Sequence, residues 1–205
     1  MNAPRSSKAD HDWRRDFVGQ HPIFCQSPSA ALWTPPVESL YRQIKRLLLF
    51  RRSGVLMAET GAGKTCSLEL IAKKLGVEFS GIVVIRFITP NKQCPSIRAF
   101  FKTFLWALDH PETSGETPNL RQRVTHKLQD MGLNAAWKLV WFWVDEAQAL
   151  GLGDYCFLRD IQNDLRKVGV DLVVVFSGEA PDFDTELEQL RGEKGGGAVI
   201  DRFAR

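Results

Sequence analysis

The sequence predicts an α/β fold in which a parallel β-sheet is packed between layers of helices. Short apolar segments that suit buried strands alternate along the chain with segments whose apolar residues repeat at helical spacing. Three of the apolar segments run directly into polar residues, and the carboxyl ends of parallel strands meet at one edge of a sheet. The 205 residues, of which 44% are hydrophobic and 25% charged, suffice for one globular domain with a substantial core.

The first predicted strand, at residues 54–58, leads into the most specific motif of the chain. After it comes Glu59-Thr60-Gly61-Ala62-Gly63-Lys64-Thr65, in which glycines let backbone N–H groups approach a polyphosphate closely. We expect Lys64 to reach the β- and γ-phosphates of ATP and Thr65 to hold Mg²⁺. The predicted ATP-binding residues are Thr60, Gly61, Ala62, Gly63, Lys64, Thr65 and Cys66.

The apolar segment at residues 139–144 ends in two adjacent acids, Asp145 and Glu146. A strand of this kind places its first carboxylate at the sheet edge beside the phosphate loop, so Asp145 is the second predicted magnesium ligand. Glu146 is the predicted general base, which would polarise the water that attacks the γ-phosphate. The alternative is that the two acids only cap the next helix.

A third strand, predicted at residues 170–176, ends at Ser177. Its position at the same sheet edge allows Ser177 to contact the γ-phosphate or the attacking water, and we include it among the candidate catalytic residues. A simple turn residue is the alternative.

Helical spacing of apolar residues predicts a helix from about residue 37 to 50, a second after the phosphate loop that ends at Gly76, and a third that ends before Gly169. The glycine run at residues 192–197 predicts a mobile loop. The chain stops after four sheet strands, three of which are the strands named above, and a sheet of this kind normally has a fifth. We therefore expect a sheet whose C-terminal strand and lid are missing.

The cysteine content and the lengths of the apolar runs indicate where in the cell the protein is expected. Four scattered cysteines, Cys25, Cys66, Cys94 and Cys156, favour reduced thiols in a cytoplasmic protein. Cys66 is interpreted as a buried filler, with a reactive thiol as the alternative. No apolar run reaches the ~18 residues needed to span a bilayer, so no membrane partner is expected. We expect residues 1–20 to form a flexible N-terminal arm and residues 21–205 to form the folded domain.

The three strand-end motifs, in this order and with Asp145-Glu146-Ala147-Gln148 before a helix, resemble those of AAA+ ATPases. This implies a P-loop NTPase of the RecA-like kind, a three-layer αβα sandwich. The chain further resembles the TniB/TnsC group of DNA-transposition regulators, near MuB-like proteins. The resemblance lies in Phe87-Ile88-Thr89-Pro90, an amphipathic helix after it, Val144-Asp145-Glu146-Ala147-Gln148 and the terminal Ile200-Asp201-Arg202-Phe203.

The resemblance to that group implies a protein that oligomerises on duplex DNA as a ring or helical filament. It would link a TniQ-like target-selection protein to a transposase and use ATP and Mg²⁺. Arg202 resembles an arginine finger, which acts on the γ-phosphate of a neighbouring subunit. An ordinary surface residue near a frayed end is the alternative.

The helix that starts near Ile97 is the predicted DNA-binding element. Phe100, Phe101, Phe104, Leu105 and Leu108 define its core face. Lys102 and Thr103 are DNA-contact candidates by resemblance, and Arg98 and Lys92 by charge and proximity. A solvated helix face is the alternative, and the net charge of +3 does not decide between them.

Two other functions remain open. One is a scaffold that binds nucleotide and DNA but hydrolyses ATP weakly. The other is a replication initiator or loader, or a secretion-associated ATPase of the ExeA type.

Overall fold

The computed structural model describes residues 32–89 and 96–204, where helices and parallel strands alternate. In chain order the elements are α1 (Pro35–Leu49), β1 (Gly54–Ala58), α2 (Lys64–Glu78), β2 (Val83–Ile88), α3 (Ile97–Ala107), α4 (Thr117–Asn134), β3 (Leu139–Asp145), α5 (Leu152–Lys167), β4 (Asp171–Glu179), α6 (Asp182–Gly192) and α7 (Gly196–Phe203). A short 3-10 turn, Ala147–Ala149, follows β3. The predicted arm at residues 1–20 and Lys92 lie outside the described residues.

The four strands form one parallel sheet in the order β1-β4-β3-β2. This confirms the predicted fold class. Within the described residues β1 pairs only with β4, so its other edge carries no strand. An additional strand beside β1 would extend the sheet there.

The sheet separates two hydrophobic layers because side chains of a strand alternate between its faces. Trp141 and Trp143 of β3 pack against α1 and α2, whereas Val140, Phe142 and Val144 face the other side. The helices α3, α4, α5, α6 and α7 cover that second side. Every residue of β3 is buried, as expected for a central strand covered on both faces.

Local sequence signals account for several helix starts. Ser96 caps α3 by accepting a hydrogen bond from the Ala99 N–H at 3.4 Å. Asp154 accepts from the Gly151 N–H at 3.0 Å at the start of α5. A proline in the first turn opens α4, where no intrahelical donor is needed.

Several predicted boundaries are wrong. Gly76 lies inside α2, which continues to Glu78, because an exposed glycine is tolerated in a helix whose apolar stripe packs on the sheet. The glycine run is not entirely a loop: Gly195 has a φ of 82° and α7 starts at Gly196. None of the described helices has the length and apolarity that crossing a bilayer requires.

Candidate nucleotide-binding site

The loop between β1 and α2 has the backbone shape that a phosphate cradle requires. Gly61 and Gly63 both have a φ of 76°, in the left-handed region that other residues rarely adopt. Nothing lies within 4 Å of the Cβ position at either glycine, and residues 59–63 are exposed. The first backbone N–H groups of α2 therefore open onto an accessible surface.

Lys64 lies across this loop. Its Nζ donates to the carbonyl oxygens of Ala58 at 2.8 Å and Glu59 at 3.0 Å. These acceptors are neutral, and a phosphate oxygen would give the ammonium group a stronger, charge-assisted bond. The structure thus places Lys64 at the cradle in a position from which it can turn to a polyphosphate.

Asp145 and Thr65 lie in contact although 80 residues separate them. The Thr65 Oγ1 donates to Asp145 Oδ2 at 3.1 Å, and only 4% of Asp145 is exposed. A hydroxyl and a carboxylate are hard oxygen donors of the kind Mg²⁺ prefers, and phosphate and water oxygens complete its shell. The described residues contain no group of three or more His, Cys, Asp or Glu side chains that could hold a metal without such help. The donor set therefore fits magnesium brought in with a nucleotide.

Glu146 follows β3 in a left-handed conformation, with φ 55° and ψ 44°. This conformation is uncommon for a residue other than glycine, and at a strand end it can hold a side chain out of the sheet. The carboxylate is exposed, and its Oε2 accepts a hydrogen bond from Gln148 Nε2 at 2.7 Å. Gln148 in turn accepts from the Glu179 N–H at 3.4 Å, which connects the acid to the end of β4.

Ser177 differs from its predicted setting. The strand β4 runs to Glu179, so Ser177 lies inside the strand and is fully buried. Its Oγ donates to Asp145 Oδ1 at 2.8 Å and accepts from Trp143 Nε1 at 3.0 Å. The interpretation as a turn residue is wrong, because the pairing of β1 with β4 extends the strand past this position. Direct contact with a γ-phosphate stays a prediction.

Sequence reasoning missed Arg86 and Glu69. Arg86 in β2 donates from Nη2 to Asp145 Oδ2 at 3.0 Å and from Nη1 to Glu69 Oε1 at 2.6 Å. Its guanidinium carbon lies 4.6 Å from the centre of the Trp143 ring. The only sequence signal was an arginine in the middle of an otherwise apolar strand, Val83–Ile88.

Cys66 is exposed at the start of α2. The interpretation as a buried filler is therefore wrong: the first turn of α2 projects from the sheet edge, and burial begins at Leu68.

Arg202 lies in α7, away from the phosphate loop. Its Nε donates to Gln162 Oε1 and its Nη2 to Asn163 Oδ1, both at 2.7 Å. It lines a cavity of about 540 Å³ whose other residues include Arg51, Arg52 and Arg166. Burial lowers the pKa of Arg202, and the positive charges of Arg166 and Arg159 lower it further. An anion in this cavity would relieve that repulsion.

The helix α3 has the predicted core face, since Phe100, Phe101, Phe104, Leu105 and Leu108 are all buried. Of the predicted DNA contacts on it, Arg98 is exposed and Lys102 and Thr103 are half-buried. Trp106 is 62% exposed on the same helix. The three described candidates therefore lie on an accessible part of α3.

The glycine cradle, its lysine and the strand-end carboxylate beside the threonine define a P-loop nucleoside-triphosphate-binding domain. Residues 50–187 match the AAA domain family, and the chain belongs to that family. No curated protein sequence matches this chain significantly.

Several solved structures are similar to this chain at low sequence identity. Cdc6p from Pyrobaculum aerophilum is similar with a TM-score of 0.61 and 17% identity, over 87% of this chain and 47% of that one. A chain of Drosophila ORC bound to AT-rich DNA and Cdc6 gives a TM-score of 0.48 and 11% identity, over 98% and 60%. PCH-2 from C. elegans gives a TM-score of 0.48 and 12% identity, over 86% of this chain and 44% of that one. This chain thus spans about half the length of the Cdc6p chain that it matches.

Proposed function

We propose that this chain is a Mg²⁺-dependent ATPase that assembles with copies of itself on duplex DNA and regulates DNA transposition. The observation that supports the ATPase most directly is the contact of Thr65 with Asp145 beside the open glycine cradle, one residue before the exposed Glu146. This arrangement supports a role for the loop in nucleotide binding, for Thr65 and Asp145 as magnesium ligands and for Glu146 as the general base.

The chain's own residues supply the steps of hydrolysis. The loop N–H groups and Lys64 hold the phosphates, and Glu146 accepts a proton from the water whose oxygen attacks the γ-phosphorus. The bond from the γ-phosphorus to the bridging oxygen breaks, which leaves ADP and inorganic phosphate. Magnesium, when bound, neutralises charge on the β- and γ-phosphates. The hydrogen bond from Gln148 Nε2 restrains the exposed carboxylate of Glu146.

Glu146→Gln tests the role of the acid. We expect ATP turnover to fall at least ~100-fold, the lower range of general base catalysis, with ATP binding retained. Glu193→Gln, at an exposed glutamate after α6, is the matched control. Unchanged turnover in Glu146→Gln would favour the weakly hydrolysing scaffold instead.

Shared sites between subunits account for the position of Arg202. The cavity that it lines includes Ser53, just before β1, whereas the phosphate loop follows the other end of β1. A strand of five residues spans about 15 Å, so Arg202 and its own nucleotide would lie at opposite edges of the sheet. We infer that Arg202 acts on the γ-phosphate bound by a neighbouring copy.

A mixing experiment tests this inference. A variant with Arg202→Ala keeps an intact phosphate loop, and one with Lys64→Ala keeps an intact arginine. Each variant alone should be inactive. An equimolar mixture should recover part of the wild-type ATPase rate, because some interfaces combine the intact phosphate loop of one variant with the intact Arg202 of the other. No recovery from variants that still co-assemble would contradict the shared site.

Duplex DNA is the proposed polyanionic partner of α3. Arg98, Lys102 and Thr103 suit contacts to the phosphate backbone without base reading. One or two phosphate contacts per subunit give weak binding, and assembly multiplies them into binding that falls steeply with salt. Lys102→Glu should weaken DNA binding at unchanged ATP affinity. Lys73→Glu, the same charge change on α2 across the sheet, should not.

The transposition role rests on the resemblance of Phe87–Pro90, Val144–Gln148 and Ile200–Phe203 to the TniB/TnsC group. A transposase and a TniQ-like protein are its proposed partners. A reconstituted integration reaction whose yield is independent of this chain and of ATP would refute it.

A replication initiator or loader is the second candidate, favoured by the Cdc6p-like fold over 87% of the chain. ATP-dependent loading of a replicative helicase would be its signature.

A further inference from the structure

The carboxylate of Asp145 accepts hydrogen bonds from three protein donors. Its Oδ1 accepts from the buried Ser177. Its Oδ2 accepts both from Thr65 at 3.1 Å and from the guanidinium of Arg86 at 3.0 Å. A carboxylate oxygen has about two lone-pair sites, so both sites on Oδ2 are occupied.

Oδ2 is the oxygen through which Asp145 can serve a metal. Oδ1 points to Ser177, which is fully buried, whereas Oδ2 lies beside Thr65 at the start of the phosphate-loop helix. The threonine hydroxyl can keep donating to Oδ2 while its oxygen faces a metal. Magnesium, or a water bound to it, therefore needs the lone pair that Arg86 occupies.

Arg86 has a second partner that would hold it after displacement. Its Nη1 is 2.6 Å from Glu69 Oε1 on α2, and the side chain of Glu69 is 48% exposed. Among the described residues the buried Nε of Arg86 has no hydrogen-bond partner, so the guanidinium is not fully satisfied where it lies. The ring of Trp143, 4.6 Å from the guanidinium carbon, attracts the cation through its aromatic face.

We propose that Arg86 is a positioning residue that occupies the metal-facing oxygen of Asp145 until Mg²⁺ and nucleotide displace it toward Glu69. The Arg86–Asp145 pair then sets the Mg²⁺ concentration at which nucleotide binds. This inference rests on the proposed nucleotide site, which it deepens by naming the residue that competes with the metal.

Binding of ADP, titrated with Mg²⁺ on the full chain by calorimetry, tests the proposal without ATP turnover. Arg86→Gln removes the competing cation and should lower the half-saturating Mg²⁺ concentration about 3- to 5-fold, the upper part of the range for a partly exposed ion pair. Arg86→Lys keeps the charge and should stay within about twofold of the wild-type protein. Arg42→Gln, an equal charge loss at a remote exposed ion pair on α1, should leave the midpoint unchanged.

Glu69→Gln gives a test in the opposite direction. It removes the carboxylate that receives Arg86, so the half-saturating Mg²⁺ concentration should rise. This variant also keeps the proposal testable if Arg86→Gln fails to fold, because Glu69 is half-exposed. A midpoint that is unchanged or raised in Arg86→Gln, or unchanged or lowered in Glu69→Gln, would overturn the proposal.

Thermal unfolding without nucleotide supplies a second readout. Arg86→Gln leaves the buried Asp145 without its cationic partner, so its melting temperature should fall. Mg²⁺ with ADP should then raise the melting temperature more in this variant than in the wild-type protein. An equal rise in both proteins would count against displacement. Failure of the wild-type protein to take up ADP at any Mg²⁺ concentration would instead refute the nucleotide site itself.

Discussion

Ser177→Ala tests whether the buried hydroxyl holds the site together. The hydroxyl has one proton, and the 2.8 Å contact to the charged Asp145 is shorter than the 3.3 Å contact to the Val144 carbonyl, so the proton goes to the carboxylate. The same oxygen accepts the Trp143 N–H at 3.0 Å. Alanine would leave the Trp143 N–H and the Asp145 Oδ1 buried without this partner.

The expected loss of stability in Ser177→Ala follows from the hydrogen bonds to Asp145 and Trp143. A hydrogen bond to a charged group contributes about 1.5–3 kcal/mol, and an unpaired buried N–H costs about 1–3 kcal/mol. The space left by one oxygen atom is too small for a replacing water. We therefore expect Ser177→Ala to lower the free energy of unfolding by about 3–5 kcal/mol, measured by urea denaturation followed by circular dichroism.

A double-mutant cycle with Trp143→Phe isolates the indole. In that background Ser177→Ala loses only the bond to Asp145, so its effect should shrink by about 1–3 kcal/mol. If Ser177→Ala lowers the free energy of unfolding by less than about 0.5 kcal/mol in the wild-type background, the hydrogen bonds of the Ser177 hydroxyl do not stabilise the positions of Asp145 and Trp143. Binding of a slowly hydrolysed ATP analogue relative to ADP separates the roles: only a γ-phosphate contact would weaken the analogue more than ADP.

Three further predictions use packing, charge and exposure. Gly132→Ala should lower the free energy of unfolding by about 1–3 kcal/mol, because the new Cβ would lie 2.3 Å from a methyl of Val170. Gly76→Ala has nothing within 4 Å of its Cβ and should raise the free energy of unfolding by about 0.5–1 kcal/mol. Urea denaturation measures both effects. Lys64→Ala should reduce Mg·ATP affinity at least ~10-fold by calorimetry, since a charge-assisted bond is lost, and equal affinity would refute its assignment. Alkylation of the exposed Cys66 should slow when Mg·ADP covers the loop, and an unchanged rate by mass spectrometry would place the nucleotide elsewhere.

Much of the fold could be predicted because its signals are local. The strand β1 has the predicted bounds, and the core face of α3 is buried as the periodicity indicates. The site residues at strand ends were also accessible to sequence reasoning, since a parallel sheet places all strand ends of one kind at one edge. Asp145 and Thr65 meet for this reason.

The rest of the site depends on strand register, which the sequence does not state. Arg86 lies opposite Trp143 in the pairing of β2 with β3, and a one-residue shift would turn the arginine to the other face. Ser177 was misplaced because the pairing of Leu56 with Ser177 extends β4 beyond its apolar run. The arginine stands out in its apolar strand, but the partners of Arg86 and Ser177 cannot be deduced from spacing or composition.

The same register explains why the polar residues of the site form one connected group. Trp143 and Asp145 are two residues apart in β3, so they share the sheet face that packs against α2. Arg86 and Ser177 reach this face from the flanking strands. The indole therefore contacts the arginine through its ring and the serine through its N–H, and it couples the two strands on either side of the carboxylate. Trp143→Ala, which removes both the ring and the N–H, should for this reason disturb the Arg86 and Ser177 donors of Asp145 together, whereas each neighbouring strand alone supplies only one of these two donors.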